Sequence, residues 1–191
     1  MDIIVKNLNK AYDGQQVLRD FSCRFAEGKT TCIMGESGRG KTTFLHILLG
    51  IEQADAGEIE GVPKGALAAV FQEDRLCENL SAAANIRLVC RHRLSDEEIR
   101  EAFRRVKLED AWQKPVRKLS GGMRRRVAIV RALLADAACI MMDEPLKGLD
   151  EDTKEKTARF IQEQAQGKTL LVITHEEEDA ALLGAAQIVK M

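Results

Sequence analysis

Apolar runs of five or six residues, each bounded by glycine or polar residues, recur along the 191-residue chain and predict buried strands. They are Lys29-Thr30-Thr31-Cys32-Ile33-Met34, Ala66-Leu67-Ala68-Ala69-Val70-Phe71, Ala137-Ala138-Cys139-Ile140-Met141-Met142 and Lys168-Thr169-Leu170-Leu171-Val172-Ile173-Thr174. Near-continuous apolar text of this kind belongs to a sheet covered on both faces. The opening is different. Ile3 to Leu8 reads as a strand, Asp13-Gly14 is a hairpin turn signal, and extended text resumes through Val17-Leu18 and Phe21 to Phe25, so the start of the chain is predicted to be antiparallel. Gly57 to Gly61 reads as a further short strand and Pro63-Lys64-Gly65 as a loop.

Between the strands the apolar period becomes helical. Thr43 to Leu49 is one such stretch and stops at Gly50; others run from about Gly121 to Leu134 and from about Thr153 to Gln164. From Glu73 to about Arg117 the text is charged and helical, with Pro115 at its exit. Within it Ser95-Asp96-Glu97-Glu98 is a capping box followed by Ile99, Ala102, Phe103 and Val106 on one face, predicting a helix over about 96–107. The chain thus divides into a core, 1–72 and 135–191, interrupted by a helical insertion, 73–134.

One strand-to-helix junction carries chemistry. Gly35-Glu36-Ser37-Gly38-Arg39-Gly40-Lys41-Thr42 fits G-x-x-x-x-G-K-[ST], the phosphate-binding loop, with a strand before it and a helix after it. Its glycines let successive N–H groups turn toward phosphate oxygens at a helix N-terminus, where the macrodipole favours negative charge. Lys41 is placed to reach the β/γ-phosphates and the Thr42 hydroxyl to bind Mg²⁺. Loop chemistry alone does not choose the reaction.

Composition narrows the partners. Lys and Arg number 29 against 30 Asp and Glu, so no overall field draws the protein to nucleic acid or anionic lipid. The five cysteines are widely spaced without a C-x-x-C pair, and Cys32 and Cys139 sit inside apolar runs as small core residues, which suits a reducing cytoplasm. No run reaches the length of a membrane span, and Met1-Asp2-Ile3-Ile4 lacks a signal-peptide pattern, predicting a soluble chain held at a membrane only by another protein. Arg124-Arg125-Arg126 precedes an apolar helical face formed by Val127, Val130, Leu133 and Leu134, so it reads as a solvated face or a set of salt-bridge partners rather than a nucleic-acid patch.

Three strand ends add candidates. The run ending at Met142 delivers Asp143-Glu144-Pro145 and resembles the Walker B element of P-loop NTPases. Carboxylates beside a buried strand cost several kcal/mol unless a cation or a chemical task compensates, so Asp143 is read as Mg²⁺ support and Glu144 as the acceptor of a proton from the attacking water. Gln72 and His175 end two other buried runs, at the edge where open α/β sheets bind ligands. Tyr12, just before the hairpin turn, is either ordinary hairpin packing or a platform for a flat base.

Leu119-Ser120-Gly121-Gly122, between the glycine loop and the acidic strand, completes a set of six elements in order. With it the chain resembles an ABC transporter ATP-binding subunit along essentially its whole length, a single ATPase domain over 1–191. The resemblance implies an α/β fold: a P-loop NTPase core with a RecA-like mixed sheet, an N-terminal antiparallel β subdomain and a helical insertion subdomain. It implies ATP at Tyr12, which stacks on adenine, and at Gly35, Glu36, Ser37, Gly38, Arg39, Gly40, Lys41, Thr42 and Thr43. Mg²⁺ falls to Thr42, Gln72 and Asp143, and hydrolysis to Glu144, His175, Gln72 and Lys41. Ser120, Gly121 and Gly122 open a helix whose bare N–H groups form a second anion site, which in the family closes over ATP held by the other subunit. Asp150, in Gly148-Leu149-Asp150, is then a dimer contact.

The implied partners are a second ATPase subunit in a homodimer, transmembrane permease subunits docking near Arg75 to Asn85, and an extracytoplasmic solute-binding protein, with no nucleic acid. The implied place is the cytoplasmic face of the cell membrane. The short insertion resembles the compact subunits of bacterial importers, and Phe71 to Leu76 is similar to the nitrate, sulfonate and taurine branch. The reading from a different class is a soluble ABC-type ATPase acting on DNA or the ribosome, whose members carry a long coiled-coil insertion or tandem cassettes. A third is a partner subunit that binds ATP without hydrolysing it. Three residues depart from the family pattern: Met123 and Arg125 stand where Gln is common, and Lys147 where a small polar residue is usual. All three are expected to tune dimer contacts.

Overall fold

The computed structural model describes residues 1–90 and 94–191; residues 91–93, inside the expected helical insertion, lie outside the described residues. A hairpin opens the chain. Strand β1 (Ile3–Tyr12) pairs antiparallel with β2 (Gln15–Phe25), from Ile3 opposite Phe25 to Tyr12 opposite Gln15. Asp13 and Gly14 take φ of 48° and 81°, the two left-handed residues that a tight twisted hairpin turn requires. Strand β3 (Thr30–Met34) follows and leads through the glycine loop into helix α1 (Lys41–Leu48). Strand β4 (Ala56–Glu60) then returns to the free edge of β1, also antiparallel.

The rest of the chain alternates strand and helix. Strand β5 (Leu67–Val70) is followed by α2 (Ala82–Arg87), α3 (Asp96–Arg105) and α4 (Gly121–Leu134). Strand β6 (Cys139–Asp143), α5 (Glu151–Gln164), β7 (Thr169–Ile173), α6 (Glu177–Leu182) and β8 (Gln187–Lys190) complete it. Strands β5-β6-β7-β3-β8, in that spatial order, form a parallel sheet of five. The two strand directions are thereby partitioned between two sheets, the antiparallel one ordered β2-β1-β4.

Period-two alternation along the parallel strands builds both sides of the core. Cys32, Ile140, Met142, Leu170 and Val172 face α3, α4 and α5, packing with Phe103, Val127, Ile129 and Phe160. Their sequence neighbours Ile33, Cys139, Met141, Leu171 and Ile173 face the other way, onto Phe44 and Leu45 of α1 and onto Ile3, Val5, Leu8 and Phe25 of the hairpin. A strand buried on both faces has no polar position to offer, which explains the unbroken apolar runs. Burying a Phe or Ile side chain contributes about 2 kcal/mol, so this doubly covered sheet is the rigid base of the molecule.

Helix starts follow local capping. Ser95 accepts from the Glu98 amide at 3.2 Å while Glu98 reaches back to the Ser95 amide at 2.8 Å, the reciprocal box read from the sequence. Helix α5 begins earlier than the apolar period suggests, because the Asp150 carboxylate accepts from the Thr153 amide at 3.1 Å and fixes Glu151 as the first helical residue. Helix α3 ends two residues sooner than expected, and Lys107 lies at φ 55°, outside helical geometry.

Candidate active site

The carboxyl ends of β3, β6 and β7 converge, as they must in a parallel sheet, and the loops that leave them enclose a cavity of about 340 Å³. Its lining includes Gly38, Gly40, Lys41, Thr42 and Thr43 from the glycine loop, Gln72 from the end of β5, Asp143 and Glu144 from β6, and His175 beyond β7. Residues separated by more than a hundred positions in sequence thus share one wall. Val17 and Lys147 also line it.

Glycine at position 40 is required twice over. Its φ is 83°, and a Cβ there would come within 2.7 Å of the Val17 carbonyl oxygen. It caps α1 from that left-handed conformation. Lys41, buried at the start of α1, donates from Nζ to the Gly35 and Glu36 carbonyl oxygens, both at 2.8 Å. Burial pulls its ammonium below the usual lysine range, and the nearby Asp143 and Glu144 carboxylates oppose that shift.

Asp143 is 3% exposed and accepts from the Thr42 hydroxyl at 2.8 Å. Burial raises its carboxyl above the usual aspartate range; the Thr42 bond pulls the other way, and the adjacent Glu144 adds to the rise. A part-buried hydroxyl–carboxylate pair at the phosphate loop is a set of hard oxygen donors. That suits Mg²⁺, which keeps most of its coordination for phosphates and water and takes only one or two protein oxygens. Among the described residues no group of three His, Cys, Asp or Glu is arranged to hold a metal alone.

Glu144 adopts φ 48°, a left-handed conformation that costs a residue with a Cβ about 1–2 kcal/mol. Its amide donates to the Ile173 carbonyl at 2.9 Å, which ties the turn to β7. One carboxylate oxygen lies 2.7 Å from His175 Nε2, and the other pairs with Lys147 Nζ. His175 Nδ1 in turn lies 2.9 Å from the Gly35 carbonyl oxygen. Histidine, acid and glycine loop are therefore one connected network.

Apart from Ser37, the other expected residues lie outside this cavity. Tyr12 is 42% exposed, with the Lys10 ammonium 5.1 Å from its ring centre. Gly35, Glu36 and Arg39 line a neighbouring hollow with His175, Arg39 being paired to Glu36 at 3.2 Å, while Ser37 is on the main cavity. Ser120 caps α4 by accepting from the Met123 amide at 3.3 Å, and Gly121 and Gly122 form the first turn of that helix, away from Lys41 and Glu144. Asp150 is exposed and already employed as the cap of α5.

Two departures from the family pattern have a role within the chain that sequence reasoning missed. Arg125 donates to the Phe71 carbonyl and, at 2.8 Å, to the Gln72 carbonyl, and lies 3.5 Å from Asp74. Arg131, two turns on, donates to the Arg75 carbonyl at 2.9 Å. Helix α4 thus grips the segment that presents Gln72. Lys147 touches Glu144. The only sequence signal for either was the departure itself, a cation where an uncharged side chain is usual.

Comparison with known proteins agrees with this geometry. The ABC transporter family profile matches residues 18–147, more than half the chain. The chain is 36% identical to the taurine import ATP-binding protein TauB of Pelagibacter ubique (strain HTCC1062), over 96% of this chain and 76% of that one. It is 33% identical to the spermidine/putrescine import ATP-binding protein PotA of Spiroplasma citri, over 97% of this chain and 57% of that one. Among solved structures, the dimeric bacterial ABC transporter cassette MJ0796 matches with a TM-score of 0.86 at 29% identity, covering 99% of this chain and 94% of that chain. The same cassette in a post-hydrolysis state bound to ADP and Pi matches with a TM-score of 0.84 at 28% identity, again over 99% and 94% of the two chains. With the family profile matching over more than half of its length and a relative 36% identical over 96% of it, this chain belongs to the ABC transporter family, as an ATP-binding cassette.

Proposed function

We propose that the chain is the ATP-hydrolysing subunit of an ABC importer, working as a pair of copies on the cytoplasmic face of a membrane. The observation that carries the catalytic part is the convergence of Lys41, the Thr42–Asp143 pair, Gln72, Glu144 and His175 on one cavity. The transport part rests on family membership and on relatives named as import ATP-binding proteins.

The loop amides of Gly38 to Lys41 and the Lys41 ammonium bind the phosphates, and Tyr12 supports the adenine ring. Thr42 and Asp143, with Gln72 nearby, would hold Mg²⁺, which would supply charge neutralisation on the phosphates. Glu144 takes a proton from a water as its oxygen bonds to the γ-phosphorus, and the bond to the bridging oxygen breaks to release ADP. His175, fixed by the Gly35 carbonyl, steadies Glu144 beside the terminal phosphate. Ser120, Gly121 and Gly122 of a second copy supply N–H groups to the exposed side of the same triphosphate, and Asp150 contacts that copy. Closing of the pair moves the segment near Arg75 to Asn85 against permease subunits, which receive the solute from an extracytoplasmic binding protein. Among the described residues no helix is long and apolar enough to cross a membrane.

Replacing Glu144 by Gln tests the assignment. The variant is expected to bind Mg-ATP and to release phosphate at least ~100-fold more slowly, the loss typical of a missing general base. Near-normal phosphate release would reject Glu144 as the base.

A further inference from the structure

The network around Glu144 includes a cation that the reading above does not use. Lys147 Nζ pairs with Glu144 Oε2, while Glu144 Oε1 faces His175 Nε2 at 2.7 Å. Both oxygens of the candidate base are thus occupied from within the chain. The pairing is built into the backbone. Glu144 at φ 48° and Gly148 at φ 73° bracket a tight turn, closed by the Lys147 amide donating to the Glu144 carbonyl at 3.3 Å, which folds the lysine back over its own i−3 carboxylate.

The two partners are unequal. Glu144 has a side chain 10% exposed, whereas that of Lys147 is 62% exposed. The carboxylate is fixed and the ammonium is mobile on a long stem. A pair so exposed at one end is weak and yields to a stronger anion. Lys147 lines the same cavity as Lys41 and His175, so a terminal phosphate bound there is such an anion.

Charge balance points the same way. Asp143 and Glu144 both border the phosphate position, and Lys41 is the only other lysine lining the cavity. Asp143 and Thr42 are the candidate metal oxygens, so an incoming terminal phosphate competes with Glu144 for the Lys147 ammonium. We propose that Lys147 is a γ-phosphate ligand: it leaves Glu144 for the terminal phosphate when ATP binds. The exchange frees Glu144 Oε2 to accept the proton of water, and it favours ATP over ADP because ADP lacks the oxygens that draw Lys147 away. This rests on the assignment of the cavity to ATP made above.

The test compares Mg²⁺-dependent binding of ADP and of a non-hydrolysable ATP analogue by isothermal titration calorimetry in wild type, Lys147→Met and Lys147→Arg. Lys147→Met is expected to lower the preference for the ATP analogue over ADP about tenfold, the worth of one charge-assisted hydrogen bond, mainly by weakening the analogue. Lys147→Arg is expected to keep most of that preference. A purely structural role for the exposed side chain would shift both nucleotides together and leave the ratio unchanged. An unchanged ratio in Lys147→Met, with wild type binding both nucleotides, overturns the proposal and leaves the ATPase reading standing. Failure of wild type to bind either nucleotide overturns both.

Discussion

Gly121 is a glycine that the isolated chain does not need. It is the first residue of α4, its φ lies outside the left-handed region, and a Cβ built on it would meet nothing within 4 Å. Gly40 is the contrast, strained and crowded for any other residue. By the folding argument alone, Gly121→Ala should stabilise: alanine loses less backbone entropy, contributing about 0.4–1 kcal/mol where the conformation is compatible. For a chain of this size that raises Tm by roughly 1–4 °C. By the site argument the same methyl group lies where the partner copy's triphosphate must approach. Losing the N–H contacts of the first turn removes charge-assisted hydrogen bonds worth roughly 1.5–3 kcal/mol each, so two of them slow hydrolysis at least about 100-fold. Thermal denaturation and phosphate release on the same preparation, with size-exclusion chromatography in Mg-ATP, read the two effects separately. The expected result is a chain that melts slightly higher, binds ATP as a monomer, and neither dimerises nor turns over. Hydrolysis within threefold of wild type would show that the bare turn faces no ligand and would refute the two-copy site.

Two further outcomes follow from the geometry. Arg125→Gln removes guanidinium bonds to the Phe71 and Gln72 carbonyls and leaves the half-buried Asp74 without its nearest cation. Turnover should fall several-fold with nucleotide affinity nearly constant, and hydrogen exchange in peptides spanning 71–76 should quicken about tenfold or more; unchanged exchange would mean Arg131 alone holds the segment. The third concerns pH. Burial raises the Asp143 carboxyl above its ordinary value of 3.8, so its protonation favours the folded chain: this contribution to stability is complete below the unfolded value and fades as pH rises through the folded one. Asp143→Asn, a mimic of the protonated form, should therefore fold at least as well as wild type yet lose the Mg²⁺ dependence of ATP binding; retained Mg²⁺ dependence would clear Asp143 of metal binding.

Sequence alone revealed what is local or rigidly periodic. The glycine loop, the capping box at Ser95, the span Gly121–Leu134 and the hairpin turn are set by residues within a few positions of one another. Buried strands were readable because doubly covered strands admit no polar residue. Short helices escaped: α2 and α6 have six residues each, too few turns for an apolar period to repeat. The grip of Arg125 on Phe71 escaped for another reason, since 54 residues separate them and only the folded sheet brings α4 beside the end of β5. Lys147 was locally placed but misread, because a departure from pattern three residues beyond Glu144 says that something changes without saying which atoms meet.

The donors of the site share one property that bears on how it binds. Lys41 rests on the carbonyls of its own loop, Thr42 on Asp143, Lys147 on Glu144 and His175 on Gly35. Buried polar groups such as Lys41 and Asp143 would cost the fold several kcal/mol without partners, and their partnerships remove that cost. Binding a triphosphate is consequently an exchange of partners rather than an addition of bonds, and each exchange contributes little alone. Affinity must come from many donors acting at once on a concentrated charge. On the proposed reading, a loop of successive amides at a helix N-terminus answers the need for number, and Lys41 with Lys147 the need for charge. In the proposed cycle the side-chain donors Lys41, Thr42, Lys147 and His175 return to these acceptors within the chain once the terminal phosphate departs.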